Sequence, residues 1–132
     1  MPHTRSKLRE KIMVILYQIA LYEQNNIKYD IDTVIKENTD MESEFIKEMV
    51  YGVITHEDSI INEVNNHLKD WSIERLDKTG AAIMKMGIYE IKYTDTPQVV
   101  AINEAVELAK KFSDDAVRKM VNAVLDKVGK NG

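Results

Sequence analysis

Residues 5–22, RSKLREKIMVILYQIALY, decide the fold. Leu8, Ile12, Ile15, Leu16, Ile19 and Tyr22 recur at helical spacing and fall within about a third of the circumference at 100° per residue, the pattern of a helix packed on a core. A second row, Arg5, Arg9, Met13 and Tyr17, is spaced i, i+4 and drifts off one edge of that stripe. With Lys7 and Lys11 it makes the start of the segment basic and aromatic. This segment predicts a helix that builds the fold on one side and meets an anion on another.

The remaining segments repeat the helical period. Asp30 or Asp32 caps a short helix to Asn38, and Thr39-Asp40-Met41-Glu42 reads as a capping box for the next one. Phe45, Ile46, Met49, Val50, Val53, Ile60, Ile61, Val64 and Leu68 continue the period almost to Trp71, with a break expected near Gly52 or His56-Glu57-Asp58. Ser72 is placed to cap Ile73-Glu74-Arg75-Leu76. Ile83, Met84, Met86, Ile88 and Ile91 mark a further helix. Its Gly80 and Gly87 lie nearly on one face, where close helix packing offsets the helix cost of glycine.

Thr94-Asp95-Thr96-Pro97 interrupts the chain. Either Pro97 opens the next helix after a Thr96 cap, or Val99 to Ile102 is extended and Asn103 caps. In both cases the helix is present by Ile102 and runs through Val106, Ala109 and Phe112. Ser113-Asp114-Asp115 caps the last helix, whose stripe is Val117, Met120, Val121, Val124, Leu125 and Val128, with Lys119 and Asn122 outside it. No stretch alternates with period 2 as a strand does. The expectation is an all-α fold: one compact domain over residues 1–132, a bundle of about six or seven helices with short connections.

The totals agree. The chain has 132 residues, 44% of them hydrophobic and 30% charged, with five Gly and two Pro. Such a chain buries a core, and its few turn residues favour helices. The absence of cysteine excludes disulfides and thiol chemistry and fits a reducing cytoplasm. No apolar run nears the roughly 20 residues of a membrane span, and no secretory h-region follows the basic start. Cytoplasmic residence is the expectation.

The net charge of −4 hides a separation. Arg5, Lys7, Arg9 and Lys11 face only Glu10 before residue 12, whereas residues 30–63 are strongly acidic. Lys110, Lys111, Arg118, Lys119, Lys127 and Lys130 then outnumber Asp114, Asp115 and Asp126 near the end. Both ends suit an anionic partner if the fold joins them.

No catalytic constellation is evident. There is no Gly-rich phosphate loop and no nucleophile elbow, and His3, His56 and His67 lack zinc-ligand spacing. The reading is a non-enzyme with no cofactor and no metal. Lysine and arginine neutralise phosphates and tyrosine stacks on unpaired bases, so the basic, aromatic ridge suits single-stranded nucleic acid.

Residues 100–110, VAINEAVELAK, resemble the signature of the NusB family of bacterial transcription antitermination factors. Residues 119–126, KMVNAVLD, are similar to that family's KFVNGVLD. The first helix resembles its basic helix ending in LYQ, and Trp71 to Leu76 and Ile88 to Ile91 resemble its central segments. The resemblance runs nearly the length of the chain, in order.

It implies an all-helical factor that binds the single-stranded boxA element of ribosomal RNA transcripts together with NusE, a ribosomal protein, within the RNA polymerase antitermination complex. It allows a monomer or a homodimer that covers the RNA face. Matched position by position, Arg5, Lys7, Arg9 and Tyr17 correspond to the family's RNA-facing first helix, and Phe112, Lys119, Met120 and Asn122 to its C-terminal segment. Met120 stands where Phe is usual, Gly80-Ala81 where an acidic-basic pair is frequent, and His67 near a common Tyr. Asn103 and Glu104 read as helix-capping residues. A protein–protein module without RNA contact is the alternative.

Overall fold

The computed structural model describes residues 4–68 and 72–130, the last two by backbone alone. Trp71 and His3 lie outside the described residues. Seven α-helices and one 3₁₀ turn follow in order among them: α1 Arg5–Gln24, α2 Ile31–Asn38, α3 Glu44–Thr55, α4 Glu57–His67, the 3₁₀ turn Ile73–Arg75, α5 Lys78–Tyr93, α6 Gln98–Phe112 and α7 Asp115–Lys130. The described residues contain no strand.

Local chemistry sets most boundaries. Thr4 caps α1 by accepting from the Lys7 N–H. Asn26, at φ 56°, ends it in a left-handed turn in which the Asn26 and Ile27 N–H groups donate back to Glu23 and Tyr22. Asp30 caps α2, and the helix starts one residue later, at Ile31. Asp77 accepts from Gly80 to start α5, and Asp114 accepts from Val117 to start α7.

Expected caps at two helices are corrected. Thr39 closes α2 in extended backbone, and its hydroxyl accepts from the Met41 N–H. Ser43 caps α3 instead, accepting from Ile46. α6 opens directly after Pro97, so Val99 and Val100 are helical and Asn103 and Glu104 sit inside the helix, where they cap nothing. The N-cap position of α6 falls to Pro97 itself, one residue after the expected Thr96 cap. The α3–α4 break falls at His56, and Ser72 takes the N-cap position of the 3₁₀ turn without a side-chain hydrogen bond.

α5 is the centre of the bundle and packs on α1, α3, α4, α6 and α7. Its Ala82, Ile83, Met84, Met86, Ile88 and Tyr89 are buried. Around it close Ile12, Ile15, Leu16 and Ile19 of α1, Ile46, Met49, Val50 and Val53 of α3, and Val121, Val124, Leu125 and Val128 of α7. Each such aliphatic side chain contributes about 1.5–3 kcal/mol on burial. The two α5 glycines mark where α7 comes close: a Cβ on Gly87 would stand 2.5 Å from Leu125 Cδ1, and one on Gly80 would stand 3.1 Å from Val117 Cγ1.

Candidate nucleic-acid interface

The α1 stripe buries as its spacing predicts, but the basic ridge divides. Arg5 is exposed, with its guanidinium carbon 4.2 Å from the centre of the Phe45 ring, a cation–π contact. Met13 is buried in the core. Arg9, expected on the outward ridge, is only 4% exposed. Its Nε and Nη2 donate to the two carboxylate oxygens of Glu90, each at 2.7 Å, and its Nη1 donates to Glu104 at 3.2 Å. Burial works against its charge, yet the hydrogen bond and charge of Glu90, with Glu104 behind, raise its pKa further. Arg9 therefore belongs to the interior in this fold.

The outward face of α1 is formed by Lys7, Lys11, Val14 and Tyr17, all exposed. Lys7, Lys11 and Val14 line a depression shared with Leu8, Glu10, Thr39, Asp40, Met41 and Phe112. Phe112 ends α6 and is 41% exposed; Val14 is 43% exposed and Tyr17 39%. Large apolar side chains left in water beside lysines are the distinguishing feature of this face. Lys111 Nζ lies 5.5 Å from the Phe112 ring centre and donates to Glu10 at 3.0 Å. Glu10 also pairs with Lys7 at 3.6 Å, so one carboxylate holds a lysine from each helix. The hydrogen bond from Lys111 lowers the Glu10 pKa and raises its own.

Of the residues singled out by sequence, the structure brings Lys7 and Phe112 into one depression, with Tyr17 beyond Val14 on the same helix face. Arg5 lines a separate groove with Phe45, Glu44, Glu48, Asp95 and Val100. On α7, Lys119 is exposed and pairs with Asp115 at 3.5 Å. Asn122 is exposed as well, while Met120 is half-buried against the core. Among the described residues no hydrogen bond or ion pair joins these α7 side chains to α1.

Sequence reading leaves Lys11, Val14 and Lys111 out of the site. Lys11 was visible as the i+4 neighbour of Lys7. The nearness of Lys111 to Glu10 is a property of the tertiary fold alone. No helix of the described residues is long and apolar enough to cross a membrane.

Comparison with known proteins agrees with the fold. Transcription antitermination proteins NusB of Macrococcus caseolyticus and Staphylococcus aureus are 38% and 39% identical over 128 residues. The first alignment covers 97% of this chain and 98% of that protein; the second covers 96% and 99%. The fold superimposes on T. maritima NusB with a TM-score of 0.85 at 24% identity, covering 98% of this chain and 93% of that one. It also matches a chain in the crystal structure of antitermination factors NusB and NusE in complex with dsRNA, with a TM-score of 0.80 at 23% identity over 97% of each chain. The family model for NusB matches residues 6–130. The chain belongs to the NusB family.

Proposed function

We propose that this chain is a transcription antitermination factor that binds boxA-type single-stranded RNA of ribosomal RNA transcripts together with NusE. In this reading it delivers both to the RNA polymerase antitermination complex in the cytoplasm, and it carries no catalytic site. The observation that carries the proposal is the α1–α6 face, where Lys7, Lys11 and Lys111 lie about the exposed Val14 and Phe112, with the exposed Tyr17 further along α1. Lysines on this face neutralise phosphates, and exposed rings stack on unpaired bases. Family membership and the solved complex of NusB and NusE with RNA support the partners. Arg5, in a separate groove with Phe45, and Lys119 and Asn122 of α7, beside Met120, are offered as further contacts outside that face.

That solved complex holds double-stranded RNA. The preference for unpaired RNA proposed for this chain rests on the two exposed rings, which a duplex would leave without bases to stack on. Gel filtration of the protein with labelled boxA RNA, with a duplex of the same sequence, and with NusE added, tests it. Co-elution with the single strand, strengthened by NusE, is the expected result. Co-elution with NusE alone would favour a protein–protein module. A homodimer through the same face would show as RNA binding that falls as protein concentration rises.

A further inference from the structure

Arg9 joins α1 to both α5 and α6, the latter through Glu104. Arg9 of α1 chelates Glu90 of α5 and reaches Glu104 of α6, while Ser6 Oγ, one turn earlier on α1, donates to the same Glu104 oxygen at 2.6 Å. Thr96 Oγ1, from the turn between α5 and α6, donates to Glu90 Oε2 at 3.0 Å and completes the cluster. Ser6 adjoins Lys7, and Glu104 lies two turns before Lys111 and Phe112 on α6. We propose that Arg9 and Glu104 are positioning residues for RNA binding: they fix the register of α1 against α6 and so hold Lys7 and Lys11 opposite Lys111 and Phe112. This rests on the RNA reading above.

The two-pronged Arg9–Glu90 pair fixes the orientation of the guanidinium against α5, and from that fixed position its third nitrogen reaches Glu104 by one bond of 3.2 Å. The other tie between these helix segments, Lys111 to Glu10, joins side chains that are 54% and 25% exposed. Exposed pairs of this kind contribute little. The Arg9–Glu104 tie, with side chains 5% and 23% exposed and Arg9 anchored by Glu90, is the better shielded of the two and the one able to set register.

The proposal makes a prediction of sign. The Glu104 carboxylate places negative charge near the face, so an account based on charge alone has Glu104→Gln bind RNA more tightly. Positioning has it bind more weakly. Glu107→Gln, one turn further along α6 and exposed, controls for charge because Glu107 touches neither Arg9 nor Ser6.

The experiment measures binding of labelled boxA RNA to the full chain as wild type, Glu104→Gln, Arg9→Lys and Glu107→Gln. Backbone hydrogen exchange is measured in parallel without RNA. Expected for Glu104→Gln is a loss of about three- to tenfold in RNA affinity, with exchange in residues 8–12 faster by about tenfold and α7 unchanged. Arg9→Lys should weaken binding in the same direction, and Glu107→Gln should bind as wild type or tighter. Equal or tighter RNA binding by Glu104→Gln overturns the proposal, whatever its exchange. So does weaker binding with α1 exchange unchanged, because Glu104 would then act by contact. Wild-type protein that binds no RNA overturns the RNA reading itself, while the exchange profile still reports whether the cluster holds α1.

Discussion

Arg9 and Glu90 meet through two hydrogen bonds of 2.7 Å across 81 positions of sequence, with both side chains all but dry. Removing one partner leaves the other charge buried without its counterpart, which costs about 3–5 kcal/mol. Arg9→Ala and Glu90→Ala are each expected to lose that much stability in urea denaturation. A loss below about 1 kcal/mol in either would show that the pair is not desolvated as described.

Gly52 lies directly under the ring of Tyr89, so a methyl group there meets the phenol head-on. At Gly87 the obstacle is the end of the Leu125 side chain, which can rotate. Alanine gains about 1 kcal/mol in helix propensity at both positions, set against about 1–3 kcal/mol or more for overpacking. Gly52→Ala should therefore lower the melting temperature more than Gly87→Ala. The reverse order in thermal denaturation would contradict the packing.

Tyr51 donates to Asp32 at 2.7 Å, joining α3 to α2, and this bond first, with some burial, pushes its pKa up to about 12. The folded state holds the phenol proton more tightly than the ordinary value of 10.0 allows. The stabilisation is accordingly complete below about pH 10 and disappears as pH rises through about 12. Tyrosinate absorbance should show that Asp32→Asn moves one titration step down toward 10.0. An unchanged curve would exclude the bond in solution.

The helices were legible because their stripes are local. Ile12, Ile15, Leu16 and Ile19 in α1, and Val117, Val121, Val124 and Leu125 in α7, recur at helical spacing and are buried. The Asp30 and Asp114 caps likewise need only the next few residues. The fate of Arg9 was not legible. At 100° per residue it lies about 20° from Leu16, within reach of the core face, but only an acid folded in from α5 makes that position habitable for a cation. The same long-range network explains Glu104. It read as a helix-capping residue, while its actual partners, Ser6 and Arg9, are on another helix.

The basic face was half legible. Lys7 and Tyr17 were visible as exposed positions of a helix, but the pairing of α1 with the end of α6 brings in Phe112 and Lys111 from about a hundred residues away in sequence. Charge counting marked both ends of the chain as basic without saying which lysines meet. Lys119 and Asn122 face outward as their positions outside the α7 stripe predicted.

The central claim is that Lys7 and Lys11 neutralise RNA phosphates. The direct measurement is the affinity of wild-type protein and of Lys7→Ala/Lys11→Ala for single-stranded boxA RNA over a range of salt concentrations. Each phosphate contact to a single strand contributes about −0.7 to the slope of log affinity against log salt. The double variant should bind more weakly and show a slope shallower by about 1.4. An unchanged slope and affinity would contradict the assignment of this face to RNA.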